Sequence, residues 1–476
     1  MKNPNDYLQI MKFGGTSVGD ASCILRTAEI IANGARGGPV VVVTSAMSGV
    51  TNRLLAAAQA AVAGDENAGA DLAEVLREGH FTVSRELIAN AARRAEIEGE
   101  LDKIITDIAN LCRGTALLRE LTPRVADAIA GAGERLSVRL LAGALQEMGV
   151  AGVAVEAMDC IVTDARHGGA EPLPAPTRIK ATARLRPLLE NGQAPIVTGF
   201  IGASEAGVLT TLGRGGSDYS ATILGQALDA TEVIIWTDVD GVMTCDPRLV
   251  PAARIMREIS YKEAGELAYF GAKVLHPKTL RPVVEAQIPV WIRNSFRPEA
   301  AGTKITQTGH PSAHGVKALT AIASVSLVTI GGPGIVGAIG VAAKTFTAAA
   351  GARANVLFIS QASSENDICF IVEAADAEKT VAALREAFAY DLAHHEVEHI
   401  QINNDIAIVA AVGEGMHGAR GVAGRIFGAM GAANVNIIAI AQGSSEYNVS
   451  FVVEKDALTQ AVVALHDEFA LDRPTA

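Results

Sequence analysis

Over the first 300 positions the apolar residues alternate between two patterns. Short β-branched runs such as Pro39-Val-Val-Val-Val-Thr-Ser are apolar at nearly every position, as a strand covered on both faces requires. Between them lie longer stretches with apolar residues at helical spacing. This alternation predicts an α/β fold, a largely parallel sheet sandwiched by helices. Strands are expected at residues 39–44, 153–157, 195–200, 233–237 and 288–293, one helix at 125–148, and an Ala-, Glu- and Arg-rich helical region at 54–118. Three prolines in residues 166–176 predict a surface loop or lid edge.

The last 150 residues follow another rule. GPGIVGAIGVAAKTFTAAAGARANVLFISQASSENDICFIVE aligns without a gap on GEGMHGARGVAGRIFGAMGAANVNIIAIAQGSSEYNVSFVVE at a constant offset of 81, so that Gly334 meets Gly415 and Gln361 meets Gln442. Each copy reads strand, glycine turn, helix, strand, polar turn, strand, helix, which predicts two βαββαβ modules of ferredoxin-like type. Pro, Gly and polar residues concentrate between Arg297 and Gly315. The expected division is therefore 1–300, a linker at 301–315, and modules at 316–398 and 399–476. Both copies also contain GxGxxG, at Gly332–Gly337 and Gly413–Gly418. An acidic ribose partner belongs about 20 residues on, where Gln361 and Gln442 stand instead, so the glycines are read as tight strand-to-helix turns.

Composition narrows the classes. A net charge of -12 and 4% aromatic residues argue against a nucleic-acid partner. No apolar run is long enough to span a bilayer, and MKNPNDYLQI lacks a signal core, so a cytoplasmic protein without membrane partners is expected. The five cysteines show no CxxC spacing, and no metal site built from protein ligands alone is indicated.

The chemistry concentrates in two glycine turns. In Lys12-Phe-Gly-Gly-Thr-Ser, a strand ends and a helix follows that Asp20 or Ser22 can cap. The backbone N–H groups of Gly14, Gly15, Thr16 and Ser17 can there form an anion nest with the Lys12 ammonium beside it. The second turn, Thr210-Thr-Leu-Gly-Arg-Gly-Gly-Ser-Asp218, precedes a helix at 219–227 and carries Arg214 and Asp218. Two anion-friendly turns suit a phosphate chain and an anionic acceptor, and phosphoryl transfer is mainly charge neutralisation and positioning. An arginine forks to a carboxylate and a carboxylate such as Glu134 receives an ammonium, so together they point to a small amino acid.

KFGGTSV at Lys12–Val18, SAMSGVTN at Ser45–Asn52, GERLS at Gly133–Ser137, GRGGSDYSA at Gly213–Ala221, WTDVDGVMTCDPR at Trp236–Arg248 and FGAKVLHP at Phe270–Pro277 resemble the aspartate kinases, and the tandem modules resemble that family's ACT domains. The resemblance implies an amino-acid-kinase fold, ATP with Mg²⁺ as phosphoryl donor system, and L-aspartate as acceptor, giving 4-phospho-L-aspartate at the head of lysine, threonine and methionine synthesis. It implies Lys12 and Asp218 as catalytic residues. ATP would be held by Lys12, Gly14, Gly15, Thr16, Ser17, Thr237, Asp238, Arg248, Lys273 and Val274. Aspartate would be held by Ser45, Thr51, Glu134, Arg214, Gly215 and Ser217, with Arg214 on its α-carboxylate and Glu134 on its α-ammonium. Where many members carry an aromatic residue near the adenine, this chain has Met243, whose thioether can still pack on the ring.

In the repeat, the resemblance implies an allosteric amino acid bound at paired modules by Ile359, Gln361, Ile440 and Gln442. Glutamines at both equivalent positions favour threonine, with lysine the other candidate. Module pairing implies a homodimer or higher homo-oligomer, and residues 317–322 are expected to lend a strand to the second module. Some threonine-responsive relatives continue into a homoserine dehydrogenase, an activity not expected of a chain ending at Ala476. The competing readings are a carboxylate kinase of the same family acting on another small acid, and a catalytically silent amino-acid sensor.

Overall fold

A computed structural model describes residues 7–270, 275–310, 312, 314–335, 338–361 and 367–473. The chain divides into two units: residues 1–242, 255–265 and 273–309, and residues 243–254, 266–272 and 310–476. Two short segments from the front of the chain thus belong to the second unit, unlike a single cut near residue 300.

In chain order the first unit runs β1 (Gln9–Phe13), α1 (Ala21–Ala35), β2 (Val40–Thr44), α2 (Val50–Val62), α3 (Ala68–Leu87), α4 (Ala91–Leu118), α5 (Pro123–Ala130), α6 (Ala132–Glu147), β3 (Gly152–Val155), β4 (Val162–Thr163), α7 (Pro174–Glu190), β5 (Ala194–Thr198), β6 (Ile201–Ser204), β7 (Leu209–Thr211), α8 (Gly216–Leu228), β8 (Glu232–Thr237), β9 (Glu258–Ser260), α9 (Tyr261–Tyr269, whose last residues enter the second unit), α10 (Pro277–Ala286), β10 (Val290–Asn294) and β11 (Thr303–Thr306). Eight strands form one sheet in the order β3-β5-β2-β1-β8-β10-β11-β9. All neighbours are parallel except β10 and β11. Every residue of β2 and β5 is buried, because helices cover both faces. A small sheet, β4-β6-β7, stands apart.

Two sequence expectations need correction. The helix read over 125–148 is two helices, because Gly131, with ψ near 0, ends α5 and opens α6 and interrupts the hydrogen-bond ladder. The loop read over 166–176 is shorter. Pro174 opens α7, a position where its missing N–H costs nothing, and Pro172 bridges to Thr163.

The second unit holds β12 (Ala318–Gly331), α11 (Val341–Gly351), β13 (Val356–Gln361), β14 (Asp367–Glu373), α12 (Ala377–Ala387), α13 (Ala389–Ala393), β15 (His399–Val412), α14 (Val422–Ala432), β16 (Ala439–Ala441), β17 (Asn448–Glu454) and α15 (Leu458–Glu468). Their strands form one sheet, β13-β14-β12-β15-β17-β16. The long strands β12 and β15 are shared: Ala318–Ile322 pairs with residues 408–412 of the second copy, and after a bulge Leu327–Gly331 pairs with residues 399–403 and with β14 of the first. Alternation splits the apolar residues by face. Val328, Ile330, Phe370 and Leu384 pack in the first helix-side core, and Leu319, Val409, Phe451 and Leu465 in the second. Val325, Leu327, Ile371, Ile406 and Val452 gather on the opposite face with Phe270. The segment 243–254 is tied in as well, with Cys245 and Val250 in the second core and the Leu319 N–H donating to the Thr244 carbonyl at 2.7 Å. No helix among the described residues is long and apolar enough to cross a membrane.

Candidate active site

The parallel strands of the first sheet end together, and their C-terminal ends carry the polar residues: Lys12 on β1, Thr44 and Ser45 at the end of β2, Thr198 to Phe200 at the end of β5, Thr237 and Asp238 at the end of β8, and Asn294 and Ser295 at the end of β10. That edge is where open α/β sheets bind ligands. Lys12 lies between Val43 and Ile235 in the ladder and is only 8% exposed. Its Nζ lies 2.6 Å from Asp218 Oδ1 in the first turn of α8. A lysine enclosed on a central strand needs such a partner, since burying an unpaired ammonium is costly.

Glu134, in the first turn of α6, is 4% exposed. Burial pushes its carboxyl up to about 7, against the opposing pull of the backbone N–H groups of Glu134 and Ala46 and of the Lys12 charge. Its Oε2 is buried without a hydrogen-bond partner. The approach of α6 to this edge depends on Gly133, where a Cβ would lie 2.6 Å from Ala46 Cβ and 3.2 Å from Val50 Cγ1. Ser45 is fixed through its own backbone: its N–H donates to the Phe13 carbonyl at 3.0 Å, and its carbonyl accepts from Ser137 Oγ at 2.6 Å. Thr51 stands in the first turn of α2, whose cap is Gly49 in the left-handed region with no side-chain cap. Gly215 caps α8 in the same way, so two helix N-termini leave N–H groups without a side-chain acceptor.

Arg214 stands exposed in the turn before α8. Ser217 is half-buried and comes so close to Gly199 that a Cβ there would lie 2.7 Å from both Ser217 Cβ and Oγ. Thr237 Oγ1 donates to Asp238 Oδ1 at 3.2 Å, and the Thr237 carbonyl accepts from Ser295 at 2.8 Å.

The nest after β1 is narrower than its four residues imply. The Gly14 N–H donates to Trp236, the Ser17 N–H closes a short 3₁₀ turn on Gly14, and Ser17 Oγ meets Ser295 Oγ at 2.7 Å. Ser17 is buried and pins the turn, since both its N–H and its hydroxyl are engaged within the protein. Arg248 and Met243 belong to the second unit, where Arg248 forks onto Asp246, its Nη2 2.6 Å from Oδ2. Lys273 and Val274 lie outside the described residues.

In the second unit, Gln361 and Gln442 are exposed, Gln361 closing the edge strand β13 and Gln442 just past the other edge strand, β16. Ile359 and Ile440 are 51% and 44% exposed on those strands. The two edges approach one another, with Ser360 Oγ 3.4 Å from the Ile440 carbonyl.

Sequence reading missed Phe200 and Asp127. Phe200 holds φ +68, a conformation few bulky residues tolerate, and its N–H donates to Ser220 Oγ at 3.0 Å. The Gly-Phe pair at a strand end was its signal. Asp127 accepts hydrogen bonds from three residues and had no local signal.

Comparison with known proteins follows the same division. The sequence profile of the amino acid kinase family matches residues 8–294, and the ACT domain profile matches 328–388 and 409–469. Aspartokinase 1, chloroplastic, of Arabidopsis thaliana is 34% identical over 470 residues, covering 97% of this chain and 80% of its own. The bifunctional aspartokinase/homoserine dehydrogenase of Haemophilus influenzae is 35% identical over 96% of this chain, which spans 56% of that protein. The crystal structure of E. coli aspartokinase III in complex with aspartate and ADP superposes with a TM-score of 0.78 at 33% identity, covering 97% of this chain and 99% of that one. The same enzyme in complex with lysine and aspartate gives a TM-score of 0.81 at 32% identity over the same shares.

Proposed function

Since the chain belongs to the amino acid kinase family and, within it, to the aspartokinases, we propose that it transfers the γ-phosphoryl group of ATP to the side-chain carboxylate of L-aspartate, forming 4-phospho-L-aspartate and ADP. The observation that carries this reading is the buried set of Lys12, Asp218 and Glu134 at the sheet edge, one cation paired and one carboxylate oxygen waiting for a donor. Glu134 Oε2 receives the α-ammonium, and Arg214 forks onto the α-carboxylate. The side-chain carboxylate, ionised at neutral pH, attacks the γ-phosphorus. The new carboxyl O–P bond forms as the β,γ-bridging P–O bond breaks, so no proton moves and no general base is required. Lys12 neutralises charge on the transferred group, and Asp218 holds Lys12 in line. Gly15, Thr16, Thr237 and Asp238 of the first unit would hold the nucleotide.

Mg²⁺ would be held mainly through the ATP phosphates, where it would supply charge neutralisation. The ACT modules make the enzyme responsive to an amino acid and join copies into a homodimer or larger homo-oligomer. Gln361 and Gln442 favour threonine; the E. coli structure in complex with lysine makes lysine the competitor. A cytoplasmic enzyme at the head of lysine, threonine and methionine synthesis completes the reading.

Hydroxylamine trapping of the acyl phosphate tests it. With Mg-ATP, hydroxamate is expected from L-aspartate and not from N-acetyl-L-glutamate; the reverse selectivity would assign another carboxylate kinase, and no product from either would leave a sensor.

A further inference from the structure

Asp127 lies in α5, is 3% exposed, and meets only donors. Its Oδ1 accepts from Thr211 Oγ1 at 2.5 Å and the Gly168 N–H at 3.0 Å. Its Oδ2 accepts from His167 Nδ1 at 2.7 Å and the Thr211 N–H at 3.2 Å. These partners come from two separate stretches. His167 and Gly168 belong to the loop between β4 and α7, whose Ala170 N–H also donates to the Thr211 carbonyl at 2.8 Å. Thr211 ends β7, three residues before Arg214. Asp127 itself lies seven residues before Glu134, across the break at Gly131, where the Gly131 N–H donates back to the Asp127 carbonyl at 2.9 Å.

One carboxylate thus joins the helix that leads into Glu134, the strand that leads into Arg214, and the loop beside them. We propose that Asp127 is a positioning residue of the acceptor pocket, fixing the span between Glu134 and Arg214 and so the fit for a free α-amino acid. This rests on the aspartate kinase reading above. The chemistry requires a carboxylate. In Asp127→Asn one oxygen becomes an NH₂ group, and at either position that group faces a backbone N–H, of Gly168 or of Thr211, which cannot turn to accept.

The test compares full-length wild type with Asp127→Asn, His167→Ala and Thr211→Val, measuring KM for L-aspartate, KM for Mg-ATP and kcat by hydroxylamine trapping, with circular dichroism as the check on folding. Asp127→Asn is expected to raise the aspartate KM roughly tenfold or more while the ATP KM stays within about twofold; each single-bond variant is expected to raise the aspartate KM roughly two- to fivefold. A folded Asp127→Asn with the wild-type aspartate KM would overturn the proposal, as would both KM values rising together. Should Asp127→Asn not fold, the two single-bond variants decide, and an unchanged aspartate KM in both overturns it. A wild type that yields no hydroxamate from L-aspartate fails the kinase reading itself, a result distinct from any of these.

Discussion

The two units finish their strands in opposite ways. In the first, Lys12 and Glu134 are 8% and 4% exposed, each enclosed by a central parallel sheet and its helices. In the second, Gln361 and Gln442 stand in solvent at the outer edges of an antiparallel sheet, beside half-exposed Ile359 and Ile440. A charged group removed from water acts strongly on whatever enters its site, because little solvent screens it. An exposed amide trades one hydrogen bond for another and gains selectivity only when a second surface covers it. On the proposed reading, the first unit does chemistry on a bare ligand, and the second binds an effector only where a neighbouring module covers it.

The largest expected effect breaks the first half of that contrast. Lys12→Ala should lower kcat by roughly a thousandfold or more, the scale of losing a preorganised charge at a transition state, with the fold retained by circular dichroism. Turnover near the wild-type value would deny Lys12 its role. Glu134→Gln comes next. The amide cannot neutralise an ammonium, so the aspartate KM should rise roughly a hundredfold with the ATP KM little changed, both read from initial rates.

The raised Glu134 carboxyl gives a third test, in pH. With its folded value about 7 against an ordinary 4.5, the folded chain holds an extra proton between those limits. Stability from this group therefore falls as pH rises from about 4.5 to about 7, by on the order of 3 kcal/mol, and the cost is complete above that. Glu134→Gln escapes it, so urea titrations at pH 5 and pH 8 should show the variant gaining on wild type at the higher pH. Aspartate affinity runs the other way: below pH 7 Glu134 protonates and binding should weaken by up to about tenfold per unit in wild type, and stay flat in the variant.

The smallest effects belong to the second unit. Gln361→Ala and Gln442→Ala should leave the uninhibited rate unchanged and shift the concentration of L-threonine or L-lysine that alters it by roughly three- to tenfold, measured for each effector separately. Equal response of wild type and both variants would remove the glutamines from the site and break the second half of the contrast.

Much of this was legible in the chain because the signals are local. Val40–Thr44 reads as a strand buried on both faces, and the ACT matches repeat the offset of 81 visible in the sequence. KFGGTS and GRGGSD announce strand-to-helix turns, and Lys12 and Asp218, 206 positions apart in the sequence, meet because both turns end at one sheet edge. What was hidden depends on partners far along the chain. Ser17 reads as a nest residue, yet its hydroxyl is committed to Ser295, 278 residues away. Asp127 reads as an ordinary helix acid in RVADAIAG, and its donors lie 40 and 84 residues on. The break at Gly131 was masked by apolar spacing that continues in phase through both helices.

On the proposed reading, the buried edge site delivers phosphoryl to the side-chain carboxylate of a free amino acid. That transfer is tested most directly by ³¹P and ¹³C NMR of the product formed from Mg-ATP and L-aspartate labelled with ¹³C at C4. Coupling between the new phosphorus and the labelled carbon is the expected result; coupling only when the label sits at C1, or no carbon–phosphorus coupling with either label, would contradict it.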